Sequence, residues 1–305
     1  MAKLKLQNSV WNVLFESLKL YFFNISTFSR YMLFPVFGQI IGIALIFGLT
    51  GWFTTNLPVI AEKHVAFQNL TTVITTLLII TLPGFAIFLK AFWDYLVAYG
   101  ALNSMTEAVL STGKLYDLKA HTEVVTKRTF AFVGLWLVIA VLTLIAINPL
   151  FWVIGLIFFV YFILVFQVFT LEENCSILNT FKRSFNLIKG NFARTFILAV
   201  ILGVITYYVL NYCASAFVEV IRLGEFLKGV FETWAMTLPL GEINNTAANF
   251  KLPAITALDV AKQVLSSGIM FVVAGLTLPM RSICWTLWYK NLSEVKGQKL
   301  PKKGK

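Results

Sequence analysis

The chain has 305 residues, 58% of them hydrophobic and 13% charged, with a mean hydropathy of +0.80 and a net charge of +11. Soluble domains carry about 25% charged residues. Here uncharged runs of about 18 residues recur, the length a helix needs to cross about 30 Å of hydrocarbon, so composition excludes a soluble globular domain and predicts an all-α polytopic membrane protein.

The first 30 residues are expected to form an interfacial amphipathic helix (1–30). Its basic start is followed by QNSVWNVLFESLKLYFF, which Glu16 and Lys19 interrupt and which has no small-residue cleavage site, so it is not read as a removable signal. A six-span membrane domain is predicted over 31–289, with spans at 31–53, 71–89, 130–147, 150–169, 195–217 and 264–289, and a basic tail over 290–305. Gly38 and Gly42 in the first span stand four apart, a spacing that lets helices approach closely and is expected to pack spans within the chain. Thr81, Leu82 and Pro83 in the second span recur as Thr277, Leu278 and Pro279 in the sixth. A proline inside a span leaves a backbone carbonyl without its helical donor, and such breaks bend a helix or line a cavity. Asn148-Pro149 joins the third and fourth spans as a tight hairpin.

The stretch TFKRSFNLIKGNFARTF, residues 180–196, interrupts the apolar pattern with four cations. Ile177, Phe181, Phe185 and Ile188 recur at spacings of four, four and three, with Lys182, Asn186 and Lys189 on another face, which predicts an amphipathic helix over 175–189. Asn174 is the expected N-cap. Glu172 and Glu173 before it and Lys189 at its end complement the helix dipole. Gly190 supplies the stop, Asn191 caps the next helix, and Arg194 snorkels from that helix's first turn. Too short to span, this helix is expected in the cytoplasmic interface, phenylalanines toward acyl chains and cations toward phosphates. LKLYFFNISTFSRYML at 18–33 repeats the design, pairing Lys19 with Arg183, Tyr21 with Phe185, Phe28 with Phe192 and Arg30 with Arg194. The expected architecture is thus a parallel internal repeat, each unit an interfacial helix followed by a hairpin. The outer segment 218–263, with Trp234, is expected to rest on the opposite interface.

Lys and Arg are distributed unevenly over the connecting segments. The side holding both termini carries twenty against eight acids and the other side five against six, net charges of +12 and −1. The positive-inside rule therefore places both termini in the cytoplasm. Because the excess lies beside spans and no nucleic-acid-binding motif accompanies it, the expected partners are anionic membrane lipids and not nucleic acid.

Chemistry-bearing patterns are few. Cys175, Cys213 and Cys284 are singletons, His64 and His121 fall on opposite sides, and HExxH, GxSxG and a phosphate-cradling glycine loop do not occur. No metal, cofactor or catalytic residue is expected, and no polar side chains are seen to converge at one depth, so the chain is not read as an enzyme. The six runs contain no Asp or Glu, which argues against a cation-coupled carrier. Lys90, Asp94 and Arg281, near the cytoplasmic ends of the second and sixth spans, are expected to form an intramembrane ion pair, Arg281 with Asp94 or Glu172, or to meet a lipid phosphate.

The segment LEENCSILNTFKRSFNLIKGNFARTF, residues 171–196, resembles the multi-span membrane domain that accompanies some bacterial glycerophosphoryl diester phosphodiesterases, and its stand-alone relatives. The shared pattern is a span ending in Leu-Glu (Leu171, Glu172), then Lys182, Arg183, Ser184, Leu187, Lys189, Gly190, Asn191, Phe192 and Arg194. The six-span order and the final Trp288-Tyr289-Lys290 are also similar. Asn148-Pro149 departs from the Pro-Gly hairpin of that family, Thr180 takes a small apolar place, and the soluble phosphodiesterase barrel has no counterpart in the sequence. The resemblance implies a fold and a location in the bacterial inner membrane, not the phosphodiesterase activity. From it and from the residues, the expected role is anionic-lipid headgroup binding or membrane organisation at the cytoplasmic leaflet, through Lys19, Arg30, Lys182, Arg183, Lys189 and Arg194. The alternative is a transporter or lipid translocator working between the two repeat units.

Overall fold

The fold is given by a computed structural model that describes residues 9–113, 115, 117–172 and 176–295. The start of the 1–30 segment, Glu173, the Asn174 cap, Cys175 and the tail from 296 on lie outside the described residues. In chain order the helices are α1 (Val10–Phe23), α2 (Ile25–Lys63), α3 (Leu70–Thr112), α4 (Leu118–Thr126), α5 (Thr129–Ile147), α6 (Trp152–Phe162), α7 (Val165–Leu171), α8 (Ile177–Ile188), α9 (Phe192–Gly203), α10 (Asn211–Val220), α11 (Leu223–Ala235), α12 (Leu240–Asn249), α13 (Ala257–Leu276) and α14 (Leu278–Val295). No strand occurs among the described residues.

Six helical stretches are long and apolar enough to cross a membrane: Ile25–Lys63, Leu70–Thr112, Thr129–Ile147, Pro149–Leu171, Phe192–Val220 and Ala257–Leu276. Their surfaces carry the exposed leucines, isoleucines and phenylalanines that a lipid-facing surface needs. The chain is an all-α polytopic membrane protein. At 39 and 43 residues, and about 1.5 Å of rise per residue, α2 and α3 run to about 60 Å, twice the hydrocarbon thickness. Pro35, Pro58 and Pro83 lie inside them without ending them. The fifth stretch passes through a π-helical turn at Val204–Leu210.

The sixth span is not the single helix expected over 264–289. The chain turns at Thr277, so α13 ends at Leu276 and α14 begins at Leu278. Pro279 is the second residue of α14, in the first turn, where a missing N–H removes no helical bond. The break expected at this triplet is therefore present: the helix is interrupted at Thr277, two residues before Pro279.

The chain divides into two compact units, one from the described parts of Met1–Met32, Asp94–Val204 and Leu276–Lys305, the other from Leu33–Trp93 and Ile205–Gly275. In the first, α1 lays Val13, Leu14, Ser17 and Tyr21, a helical stripe, against α14, and leaves Trp11, Phe15, Phe22 and Phe23 exposed. The α5–α6 hairpin closes as expected at Asn148, whose side chain accepts from Leu150 N at 3.1 Å. A Cβ on Gly155 would come within 2.5 Å of Ala146 Cβ, so only glycine admits this approach. Tyr99, Phe132, Trp136, Phe166 and Phe169 form an aromatic core with neighbouring centroids 4.7 to 6.4 Å apart.

In the second unit, α2 and α3 cross at glycines. A Cβ on Gly38 would lie 2.7 Å from Ala91 Cβ; on Gly42 it would lie 2.7 Å from both Cβ and N of Phe88. The segment 218–263 is largely helical, forming α11, α12 and the start of α13. Its Trp234 packs edge-on to Phe47 of α2 at 6.0 Å. Two hydrogen bonds between Asn244 and Ile255, of 3.0 and 2.8 Å, close the connection from α12 to α13.

Candidate functional site: a cationic helix surface and its polar support

Helix α8 forms where the sequence predicts it, and its polar ends are informative. Ser176 is the observed N-cap, its Oγ accepting from Asn179 N at 3.4 Å. Gly190, at φ +88°, provides the left-handed stop after Lys189. Asn191 stands at the start of α9, yet its side chain makes no capping bond. Its carbonyl instead receives both Thr195 N and Thr195 Oγ1 at 3.0 Å.

The apolar face of α8 packs largely on protein, which corrects for Phe181 the expectation that the phenylalanines face acyl chains, whereas Phe185 stays 38% exposed. Phe181 is buried edge-on to Phe162 at 5.0 Å and Phe185 stacks on Tyr161 at 4.5 Å. Ser184 Oγ donates to Tyr161 O at 2.7 Å, pinning the helix to the end of α6. With these contacts made, Lys182 and Lys189 are left on the exposed side, and Arg194 is exposed in the first turn of α9. Lys19 on α1 and Arg30 on α2 are likewise exposed. Lys19, Arg30, Lys182 and Arg194 make no ion pair with a described residue.

Arg183 differs from the other five cations. Its Nε donates to Glu172 Oε1 at 2.8 Å, with the two side chains 20% and 15% exposed. The same carboxylate oxygen accepts from Tyr289 OH on α14 at 2.7 Å. Glu172, at the end of α7, thus ties α8 and α14 together. Burial, and then the adjacent Glu172 carboxylate, raise the pKa of Tyr289 well above the ordinary tyrosine value, keeping the phenol a donor. Sequence reasoning offered Arg281 either Asp94 or Glu172; the structure shows Glu172 bound to Arg183 and Tyr289.

Lys90, in the second unit, has its Nζ 5.8 Å above the Phe34 ring. In the first unit Asp94 and Arg281 are half-buried, and none of these three charged groups is without a partner.

The structure also assembles a polar cluster that sequence reasoning did not find. Asn103 of α3, Gln167 of α7 and Ser282 and Thr286 of α14 meet around Asn103 Oδ1. Glu107, one turn further along α3, pairs with Lys290, one turn further along α14. Ser104 Oγ lies 3.0 Å from His121 Nδ1, and Trp288 Nε1 donates to Thr195 Oγ1 at 3.0 Å. The cluster draws on separate stretches of sequence, and only the helical spacings 103/107 and 282/286/290 hint at shared faces.

Comparison with protein-family models, with curated proteins and with solved structures finds no match to this chain.

Proposed function

We propose that this is a non-enzymatic protein of the bacterial inner membrane, both termini cytoplasmic, that binds anionic lipid headgroups at the cytoplasmic leaflet. The observation that carries this reading is the division of labour on α8. Its apolar face and Arg183 are used within the protein, whereas Lys182 is exposed and makes no ion pair with a described residue; Lys189 and Arg194 are exposed as well. Lys19 and Arg30 are exposed in the same compact unit, next to Phe22 and Phe23. Cations flanked by exposed aromatic rings suit a headgroup layer, with the rings at its apolar boundary.

Each such cation contributes about 1 kcal/mol near an anionic leaflet, so five give at most about 5 kcal/mol. The five-fold variant K19Q/R30Q/K182Q/K189Q/R194Q, compared with the native chain in nanodiscs of mixed phosphatidylglycerol and phosphatidylcholine, tests it. Loss of the anionic lipid co-purifying with the protein is the expected result; unchanged enrichment refutes the proposal.

A further inference from the structure

Three donors converge on one oxygen in the first unit. Asn103 Oδ1 is approached by Ser282 Oγ at 2.6 Å, Gln167 Nε2 at 3.1 Å and Thr286 Oγ1 at 3.3 Å. An amide oxygen has two lone pairs, so it is oversubscribed. In the same cluster Asn103 Nδ2 and Gln167 Oε1 have no partner among the described residues, although Asn103 is fully buried and Gln167 is 4% exposed.

Exchanging oxygen and nitrogen within the amides does not remove the mismatch. If both amides are turned, Asn103 Nδ2 donates to Gln167 Oε1 across the same 3.1 Å contact, and the two hydroxyls accept from it or turn back on their own helix. Asn103 Oδ1 and Gln167 Nε2 then become the unmatched groups. In both arrangements one amide oxygen and one amide nitrogen, on touching side chains, await a donor and an acceptor respectively. A buried polar group left unmet costs more than an average hydrogen bond contributes.

We infer that this cluster is a binding site for water, a molecule bridging the open halves of the Asn103 and Gln167 amides at the inner end of a hydrated seam between α3 and α14. The ligand must donate to one amide and accept from the other, and must be small enough for side chains at 0% and 4% exposure. It must also be neutral, because Glu107 and Lys290 balance each other one turn away. Water meets all three conditions, and the two amides supply two of the two to four partners that buried water takes.

The seam has a direction. Asn103 and Glu107 lie on one face of α3, and Ser282, Thr286 and Lys290 on one face of α14. Both helices run on from the ion pair to exposed residues, Ser111 and Thr112 on one and Glu294 on the other. Leu102, Ile283 and Leu287, next to the polar positions in sequence, are buried. Glu107 is 27% exposed, so the outer end of the seam reaches the surface.

The inference is independent of the lipid reading and is tested on the native chain. In bilayers, water-edited solid-state NMR measures how fast magnetisation passes from water to each assigned amide. The side-chain amides of Asn103 and Gln167 should build up within about two-fold of the exposed Asn179 side chain, and about five-fold or more ahead of the backbone amides of Leu164 and Val168, as bound water at hydrogen-bond distance requires. Build-up at the slow rate of Leu164 and Val168 would show a dry cluster and overturn the inference.

Discussion

The sharpest test of the cationic surface is whether Arg183 belongs to the protein or to the lipid. With side chains 20% and 15% exposed, the Arg183–Glu172 pair lies between two regimes. Breaking a buried pair costs about 3–5 kcal/mol, and an exposed pair contributes about 0–1 kcal/mol. Near the buried end but with a solvated edge, R183Q should cost about 2 kcal/mol. E172A should cost about 3 kcal/mol, because it also strips Tyr289 OH of its acceptor. A double-mutant cycle of R183Q with E172Q, read by reversible unfolding in bicelles, should give a coupling of about 1–2 kcal/mol. R183Q should also keep its anionic lipid, since Glu172 already neutralises this cation, whereas K182Q should lose lipid without losing stability. Coupling below about 0.5 kcal/mol, together with loss of lipid in R183Q, would refute the assignment of Arg183 to the protein.

Three further outcomes follow from the geometry. G42A places a Cβ 2.7 Å from the Phe88 backbone, which cannot give way as a side-chain tip would; it should destabilise by about 1–3 kcal/mol, while G48A, with nothing within 4 Å, should be neutral or slightly stabilising in the same unfolding assay. Burial pushes the Cys284 thiol up to about 12, so in a C175S/C213S background a soluble maleimide at pH 8 should label Cys284 only after denaturation; ready labelling of the folded protein would contradict the α1–α14 packing. Tyr289 is raised above the ordinary tyrosine value of about 10. Above that pH the unfolded chain gives up this proton and the folded chain keeps it, so stability falls as pH rises from about 10 toward the raised value, and Y289F should flatten that slope in alkaline unfolding curves.

Patterns contained within one helix were legible in the sequence, and partners between helices were not. Hydropathy alone located all six apolar stretches, because a lipid-facing helix must be apolar over its whole length. The faces of α8 followed from its spacing, including the exposure of Lys182. Arg183, its immediate neighbour, looks equally cationic, but its partner lies eleven residues back across the α7–α8 connection. The Asn103 cluster joins residues 64 and 179 positions apart, a separation that no spacing within one helix encodes. The turn at Thr277 was hidden for the converse reason. The residues on both sides of it are uncharged, so hydropathy reads straight through a point where one helix ends and the next begins.

Two identical triplets with different outcomes show what makes that turn. Thr81, Leu82 and Pro83 lie within an unbroken α3, where Thr81 Oγ1 donates to Leu77 O at 2.8 Å. Thr277, Leu278 and Pro279 end one helix and start another. Proline is common to both, so proline does not decide. A helix end leaves carbonyls without donors, which are costly unless a side chain supplies one. At the second triplet one is supplied: Tyr21 OH, from α1, donates to Leu276 O at 3.1 Å. The residue that the repeat pairs with Tyr21 is Phe185, which stacks on Tyr161 and has no hydroxyl to offer. The phenol of Tyr21 thus supplies a donor where one proline-bearing helix ends, a need that does not arise at Pro83, where the helix runs on.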